Sequence, residues 1–408
     1  MIERWRCENV FRQAVLACSP QRQVESMREM LASTYAVARE TVGIAVGKAA
    51  AAMARGVGPV TRGLVVTPPG EVGVLPAGWT LRVAAHPHPD ATSVAAGAEV
   101  RELVEQATDE DVVIALISGG ASALIEQPLV PLAELAAVVA RVMAVGASIG
   151  ELNVVRKALS AIKGGRLAED CGARIITLVA SDVVDDDVAT VGSGPTIGPW
   201  VAAPGVPVDA GAAADHRRRL ALEVLARAGI VAPAVLHAPI ASHVITRRDT
   251  VHLVASMRQF ARAVATQLNV PRLMPAMTGS VDAVADRLVA EAAPCVAWGE
   301  PTLRVPEPHG EGGRAQHLAL VLARNFAGSN WSAFVAGSDG IDGPAPRARP
   351  TPAGAYVDGS TWARIVAAGI DPGAALARCD AGTALAAVDA LVVTGPTGVN
   401  YADIAIIG

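Results

Sequence analysis

Aromatic side chains are scarce in this sequence of 408 residues. Phenylalanine, tyrosine and tryptophan together make up 3%, although hydrophobic residues as a whole reach 51%. Proteins that read single-stranded nucleic acid need aromatic side chains interleaved with basic patches. A formal net charge of −5 also gives the chain no overall attraction for nucleic acid or for an acidic membrane. An anionic small molecule therefore has to be bound by local cations.

Paired cysteines are missing as well. The five cysteines are scattered without CxxC spacing, which argues against a disulfide framework or a zinc site and favours a reducing cytosol. The first residues are charged and amphipathic, and no uncharged apolar run reaches about 18 residues. We therefore expect no signal peptide, no transmembrane helix and a cytoplasmic protein.

Three common catalytic motifs are absent. The Walker A spacing GxxxxGK[ST] fails at Lys48, because Ala45 and Val46 precede Gly47 and Ala49 follows the lysine. The same junction lacks the GxGxxG triplet of a dinucleotide fold, and "GSGPTIG" further along does not open a clear helix. The GxSxG of a hydrolase nucleophile elbow is not found either.

Strand-like and helix-like segments alternate along the chain. Short buried strands are predicted at residues 41–47, 111–118 and 174–180, with amphipathic helices between them. This alternation predicts an α/β fold with a doubly wound, mostly parallel sheet. From about residue 294 the pattern changes, and "PCVAWGEPTLRVP" reads as two strands around a turn. We predict a larger Rossmann-like domain at 1–290 and a smaller mixed α/β domain at 291–408, with a cleft between them.

Two predicted strand-to-helix junctions carry residues that suit anions. Lys48 follows the first strand, where a helix start offers free N–H groups and a partial positive charge. Ser118, Gly119, Gly120 and Ser122 form the second junction, where glycines let backbone amides approach a carboxylate or phosphate. Taken alone, each junction is equally typical of a solvated lysine or an ordinary tight turn.

A basic segment follows, in "NVVRKALSAIKGGRLAE". Asn153, Arg156, Lys157 and Lys163 recur at spacings that place some of them on one helix face. A basic face in an acidic protein suits phosphate, although a plain exposed face has the same pattern.

The C-terminal part repeats this chemistry. Gly312 and Gly313 lead into a predicted helix that begins with Arg314, and a guanidinium at such an entrance binds carboxylate or phosphate in a bidentate way. Asp339 follows a predicted strand in "GSDGIDGP", where a carboxylate suits magnesium or accepts a proton.

An acidic loop ends the strand at 174–180. Asp182, Asp186 and Asp187 lie in "SDVVDDDVATVGSGPT", which is either a solvated loop or a cation site. Ligands of open α/β sheets bind at the carboxyl ends of strands. Cationic turns and carboxylates at those ends together form the pattern that phosphoryl transfer needs.

Six segments resemble, in order and spacing, the glycerate 2-kinase family with a MOFRL domain, whose bacterial members often carry the older label hydroxypyruvate reductase. The segments are "LISGGASALIEQP", "LNVVRKALSAIKGGRLAE", "SDVVDDDVATVGSGPT", "GEGGRAQHLALVLA", "GSDGIDGP" and "TGPTGVN". The resemblance implies ATP- and Mg²⁺-dependent phosphorylation of D-glycerate at the 2-hydroxyl, giving 2-phosphoglycerate. It also implies two α/β domains with the active site in the cleft between them.

The resemblance assigns roles to particular residues. The family's essential lysine falls on Lys48 and the arginine of its Gly-Gly-Arg turn on Arg314. Its motif aspartates fall on Asp182 and Asp339. It thus implies catalytic roles for these four residues and metal binding by Asp182, Asp186 and Asp187.

Some family positions differ here. The usual Gly-Gly-Arg-Asn-Gln-Glu reads with Ala315 and His317 around Gln316, and a usual histidine is Ala158. These changes leave a kinase of a related small hydroxy acid as an alternative. A separate alternative is an NAD(P)H-dependent hydroxypyruvate reductase, against which the missing GxGxxG spacing argues. The clustered aspartates weigh against a non-catalytic binding protein. We expect a monomer or homodimer that binds a small substrate and a nucleotide, with no nucleic-acid or membrane partner.

Overall fold

The computed structural model describes residues 1–240, 242–291, 293–346 and 350–408. In these residues the strands are β1 (Thr41–Val46), β2 (Arg62–Thr67), β3 (Trp79–Val83), β4 (Val112–Ser118), β5 (Arg174–Ala180), β6 (Val208–Asp209), β7 (Val244–Ile245), β8 (Thr250–Ala255), β9 (Arg272–Leu273), β10 (Cys295–Gly299), β11 (Ser332–Gly337), β12 (Gly354–Asp358), β13 (Leu391–Val392) and β14 (Asp403–Ile407).

The α-helices of the same residues are α1 (Arg4–Ala17), α2 (Pro20–Glu25), α3 (Arg28–Tyr35), α4 (Ala50–Val57), α5 (Ala91–Glu105), α6 (Ala121–Leu124), α7 (Leu132–Ala144), α8 (Ile149–Ala158), α9 (Arg166–Glu169), α10 (Ala210–Arg227), α11 (Met257–Leu268), α12 (Val281–Ala290), α13 (Arg314–Asn325), α14 (Thr361–Ala367), α15 (Pro372–Ala377) and α16 (Ala381–Ala386). None of these helices is long and apolar enough to cross a membrane.

The chain forms two compact units. The central unit is Pro20–Val254, and the terminal unit combines Met1–Ser19 with Ala255–Gly408. This division is not the one predicted from the change of sequence pattern near residue 294. Residues 255–290 and the N-terminal helix α1 pack with the C-terminal part of the chain.

The central unit contains a six-stranded sheet in the order β3-β2-β1-β4-β5-β8. The pairs β2–β3, β1–β2, β1–β4 and β4–β5 are all parallel. All seven residues of β4, "VVIALIS", are buried, as expected for a parallel strand covered by helices on both faces. The predicted doubly wound, mostly parallel sheet is confirmed.

The terminal unit contains a smaller mixed sheet in the order β13-β12-β11-β14-β10-β9. β14 pairs antiparallel with both β10 and β11, whereas β9 pairs parallel with β10. Helix α13 packs on this sheet and is buried from Ala315 to Ala323. The predicted smaller mixed α/β domain is confirmed as a fold class.

One predicted strand of this unit does not form. β10 ends at Gly299, and the following segment contributes only an isolated bridge between Thr302 and Ser280. Pro301 has no N–H to donate to a ladder, and further prolines follow at 306 and 308. The second half of "PCVAWGEPTLRVP" is therefore a loop.

Candidate active site

The turn after β4 is the centre of the candidate site in the central unit. β4 ends at Ser118, and Gly120, with a φ of 86°, directly precedes the short helix α6 as its N-cap. This left-handed conformation favours glycine, because a side chain would be strained there. The backbone therefore turns sharply at the end of the strand, with Gly119 buried and Gly120 half-buried.

Asp182 packs directly against this turn. It follows β5, the neighbour of β4 in the sheet. A Cβ placed on Gly119 would lie 1.8 Å from Oδ2 of Asp182, so only a hydrogen fits between the backbone and the carboxylate. The sequence placed the serine turn and the acidic loop at the carboxyl ends of neighbouring strands, and in the structure Gly119 and Asp182 are in close contact.

Lys48 borders the same turn from the other side. β1 ends at Val46 and α4 begins at Ala50, so Lys48 lies in the connecting turn rather than at the first helical position. Its N–H donates to the carbonyl of Gly119 at 2.9 Å, and the N–H of Ala49 donates to Oγ of Ser118 at 3.1 Å. These bonds hold the backbone of Lys48, while its side chain is exposed.

His86 joins this group, although the sequence motifs did not single it out. A Cβ on Gly120 would lie 3.0 Å from Cδ2 of His86 and 3.4 Å from Cγ of Lys48. Burial, followed by the Lys48 ammonium, lowers the pKa of His86 from its ordinary value, while Asp182 acts in the opposite direction. A neutral imidazole beside Lys48 and Asp182 has an acceptor nitrogen for a proton. The available signal was "HPHPD", a histidine pair just after a strand of the same sheet.

The acidic loop is held by its own residues and by Lys157. Nζ of Lys157 donates to the carbonyl of Ala189 at 2.9 Å. Burial lowers the pKa of Lys157, and Asp187 opposes this effect. Asp187 also accepts from the N–H of Ala189 at 3.1 Å and from Oγ1 of Thr190 at 2.6 Å. Its carboxylate thus stabilises a local turn.

Ser122 is tied to the end of that loop. Its hydroxyl forms a short hydrogen bond with the hydroxyl of Ser193, and α6 packs against the 3₁₀ turn Val191–Ser193. The serine turn and the acidic loop are therefore neighbours, as their positions at strand ends suggested.

Lys163 differs from the other predicted cations. It lies beyond α8, which ends at Ala158, and therefore does not share a helix face with Arg156. Lys163 is 2% exposed and forms an ion pair with Glu126, which also accepts from Oγ of Ser160 at 2.5 Å. Burial lowers the pKa of Lys163, while Glu126 acts to raise it.

Asn153 is also buried, on α8, and Arg156 is half-buried. Burial lowers the pKa of Arg156, while Glu126 acts to raise it. Together with the buried Lys163, these residues do not form the open basic face that their spacing predicted.

The aspartates do not form a cage for a metal ion. Among the described residues, no three His, Cys, Asp or Glu side chains converge to hold a cation. Asp187 is engaged in its turn, whereas Asp182 borders the Lys48 turn. Mg²⁺ in kinase sites is typically bound by one or two carboxylates together with substrate phosphates, and Asp182 fits that more limited role.

A second group of predicted residues lies in the terminal unit around Arg314. Nε of Arg314 donates to Oδ2 of Asp403 at 2.6 Å, and its Nη2 donates to Oε1 of Glu300 at 2.8 Å. The Arg314 side chain is 34% exposed, whereas that of Asp403 is 5% exposed. The guanidinium is thus oriented by two carboxylates, one of them buried, and keeps an exposed part.

The start of α13, where Arg314 lies, is capped from a distant loop. Asp342 accepts from the N–H of Ala315 at 3.0 Å and from the N–H of Gln316 at 2.7 Å. A Cβ on Gly313 would lie 2.2 Å from Oδ1 of Asp342. Burial raises the pKa of Asp342, and these N–H donors lower it. Asp342 therefore stabilises the start of α13.

Asp339 and Gly312 lie beside these residues. Oδ1 of Asp339 accepts from the N–H of Ile341 at 3.0 Å, and the N–H of Gly312 donates to the carbonyl of Pro344 at 2.9 Å. A pocket of about 560 Å³ is lined by Arg314, Asp339 and Asp403, among others. Burial raises the pKa of Asp403 to about 7, although Arg314 lowers it.

The structure thus brings the predicted residues together in two groups. Lys48, Asp182 and the serine turn share the central unit with His86, while Arg314 and Asp339 share the terminal unit with Asp403. Asp403 was not predicted as a site residue, because it lies inside a strand pattern, "YADIAIIG".

Two family models match this chain. Residues 6–203 match a domain of unknown function, DUF4147, and residues 294–403 match the MOFRL family. The matched segments contain both groups of candidate residues. The fold and the paired models define a class of α/β proteins that combine a DUF4147 domain with a MOFRL domain.

Relatives and a solved structure give the same result over nearly the whole chain. A D-glycerate 2-kinase of Thermotoga maritima is 34% identical over 89% of this chain and 89% of its own length. A protein of Agrobacterium vitis with the provisional name hydroxypyruvate reductase is 36% identical over 88% of this chain and 97% of its own. The crystal structure of glycerate kinase from Thermotoga maritima superposes with a TM-score of 0.83 at 29% identity, covering 99% of this chain and 98% of that one. The chain belongs to the glycerate 2-kinase family with a MOFRL domain.

Proposed function

We propose that this protein uses ATP to phosphorylate D-glycerate at its 2-hydroxyl, which gives 2-phosphoglycerate and ADP. The relatives named glycerate kinases support this reaction class. The observation that carries the proposal is the contact of Lys48, His86 and Asp182 with one glycine turn at the carboxyl ends of β1 and β4. An ammonium, a neutral imidazole and a carboxylate in one place supply the charges that phosphoryl transfer requires.

The roles follow from the chemistry of each group. Lys48 binds phosphate oxygens and stabilises the charge that develops on them. The half-buried His86, whose pKa is lowered, accepts the proton of the attacking hydroxyl. Arg314, oriented by Asp403 and Glu300, binds a carboxylate or phosphate of a substrate. Participation of both groups in one reaction, with the active site between two domains, stays a prediction.

Magnesium belongs to this proposal as well. We propose Asp182 as its protein ligand, because the carboxylate is a hard oxygen donor beside the phosphate-binding turn. When bound, Mg²⁺ neutralises charge on the phosphates. The monomeric or homodimeric state and the cytosolic location also remain predictions from the sequence.

A parallel assay tests the function. ATP consumption is measured with a panel of small hydroxy acids, with and without excess EDTA, while NADH oxidation is measured with hydroxypyruvate. We expect ATP turnover with D-glycerate that EDTA abolishes and Mg²⁺ restores, and ³¹P NMR should place the phosphate on the 2-oxygen. NADH oxidation without ATP turnover would instead support the reductase name that some relatives carry.

The role of His86 has its own test. If His86 accepts the hydroxyl proton, kcat falls at acidic pH with a midpoint below the ordinary imidazole pKa, because burial and Lys48 lower it. His86→Asn should lower kcat and remove this acid limb, with little change in Tm. An unchanged pH profile in the variant would assign the proton transfer to another group.

A further inference from the structure

A second pocket of the terminal unit lies away from the Arg314 group and shares none of its lining residues. It has a volume of about 810 Å³ and is lined by one face of α11, by the segment that follows this helix and by Trp298 of β10. This volume is in the range of small-molecule sites, about 300–1,000 Å³. No part of the proposed reaction uses it.

The pocket is cationic. Arg258 and Arg262 stand four residues apart on α11, so their side chains share a helix face. Among the described residues, the side chain of neither arginine forms a hydrogen bond or an ion pair, and no carboxylate lines the pocket. Most other arginines of the described chain have a carboxylate or carbonyl partner, as Arg314 does. Like charges at this spacing destabilise a helix slightly, and a bound anion would relieve that repulsion.

Trp298 supplies an independent observation. Its side chain lines the pocket and is only 7% exposed, yet its indole Nε1 has no hydrogen-bond partner within the described chain. A buried N–H without an acceptor is unfavourable and uncommon in folded proteins. Nε1 itself is almost inaccessible to solvent, so an acceptor atom on a bound ligand would satisfy it after a small shift of the indole ring. Thr266 and Asn269 add polar side chains to the same wall.

We propose that this pocket binds a small molecule with a phosphoryl group, held by Arg258 and Arg262 and accepting a hydrogen bond from Trp298. Arginine suits this ligand, because its planar guanidinium presents paired donors to phosphate oxygens. The four-residue spacing separates the two side-chain origins by about 6 Å along the helix, so both guanidinium groups can reach one phosphate or a diphosphate. A nucleoside diphosphate and a simple phosphorylated acid share this chemistry.

Calorimetric titration tests the site on the full chain without glycerate. The probes are inorganic phosphate and ADP, and the variants are the double change Arg258→Gln with Arg262→Gln, Trp298→Phe, and Arg324→Gln as control. Arg324 is an exposed helical arginine of the same unit that does not line this pocket. We expect the double variant to weaken probe binding at least tenfold, Trp298→Phe to weaken it severalfold, and the control to bind as the wild type does.

The outcomes distinguish a general phosphoryl site from a nucleotide site, and some of them would overturn the proposal. Loss of both probes in the double variant identifies a general phosphoryl site, whereas loss of ADP alone identifies a nucleotide site. No binding by the wild type, equal binding by the double variant, or an equal loss in Arg324→Gln would overturn the proposal. The arginines are exposed, so the double variant should fold even if Trp298→Phe does not. ADP is also a product of the proposed kinase reaction, so ADP binding that survives in the double variant belongs to the kinase site. Only the loss of binding between the wild type and the double variant measures this pocket, and that difference does not test the kinase proposal.

Discussion

Lys48 combines an exposed ammonium with a backbone that the neighbouring turn holds through the N–H bond to Gly119. Replacing Lys48 by alanine removes the charge and leaves this backbone bond in place. We predict that kcat falls about 100- to 1,000-fold, as when one preorganised donor to a developing charge is lost. Tm should change little, because exposed substitutions usually change stability by less than about 0.5 kcal/mol.

Lys48→Arg is the matched variant, because it keeps the charge but changes its shape. The planar guanidinium is larger than an ammonium, so we expect only partial recovery of kcat. The two variants need kcat and Tm from the same preparations. Near-normal kcat in Lys48→Ala with an intact fold would reduce Lys48 to a solvated surface residue.

Asp403 makes stability depend on pH. Burial raises its pKa to about 7 in the folded protein, whereas an aspartate of the unfolded chain titrates near 3.9. Between these two values the folded state keeps a proton that the unfolded state has lost, so stability falls as pH rises. The slope from this group reaches at most about 1.4 kcal/mol per pH unit, and it ends above the folded pKa.

Asp403→Asn tests this effect, because an amide does not titrate. Denaturant unfolding at pH 5, 6, 7 and 8 should show a wild-type stability that falls more steeply with pH than that of the variant. Parallel curves would mean that Arg314, only 2.6 Å from the carboxylate, keeps Asp403 ionised throughout this range.

At the level of single residues, sequence reasoning worked where a residue stands next to a strand end. Lys48 and Asp182 follow the buried strands β1 and β5, and parallel strands bring such ends to one edge. His86 could not be predicted as a site residue without the order of the strands. It follows β3, which lies at the edge of the sheet, and the sequence alone does not show which side chains meet there. The burial of Lys163 depends on Glu126, 37 positions away, which no local pattern reveals.

The turn between β4 and α6 is the element on which the candidate site of the central unit depends. Gly119→Ala would place a Cβ 1.8 Å from Oδ2 of Asp182, so the carboxylate has to move by more than about 1 Å to reach an ordinary contact. A displacement of this size costs about 100-fold in rate, and overpacking costs roughly 1–3 kcal/mol of stability. We therefore predict a large loss of kcat with a lower Tm.

Gly150→Ala is the control for this prediction. Gly150 belongs to α8 of the same unit, and a Cβ there would have only Oγ of Ser148 nearby, at 3.9 Å. Alanine is the better helix former, so kcat should be unchanged and Tm equal or higher. If both variants behave alike, Gly119 is not held close to Asp182.

The buried strands of the central sheet were easier to predict than the start of a helix or a strand near prolines. The buried runs of β1, β4 and β5 match the predicted segments to within one residue, because continuous apolar runs between glycines have few other solutions. The start of α4 was misplaced by two residues, since no side chain caps it. The extra strand after β10 was wrong, because the prolines there outweigh the alternating pattern.

On the scale of the whole molecule, the unit boundary escaped prediction because it depends on a contact between the two ends of the chain. Helix α1 is separated by some 240 residues from the rest of the terminal unit. Its Phe11 is completely buried, with ring centroids 5.9 Å from Phe260 and 5.4 Å from Phe334. The hydroxyl of Tyr401 also donates to the carbonyl of Cys18 at 2.6 Å.

This aromatic cluster contains three of the four phenylalanines of the chain, so it should contribute strongly to the terminal unit. Phe11→Ala leaves a cavity at a fully buried position, and such changes cost about 3–5 kcal/mol. We predict that the terminal unit unfolds at a clearly lower urea concentration, while the central unit, Pro20–Val254, keeps its own transition.

Trp5→Ala is the control, because Trp5 lies on the same helix but is 65% exposed, and its loss should cost less than about 0.5 kcal/mol. Urea titration with limited proteolysis at each step assigns every transition to a unit. If Phe11→Ala and Trp5→Ala shift the same transition equally, or if Phe11→Ala destabilises only the fragments of the central unit, α1 does not belong to the terminal core.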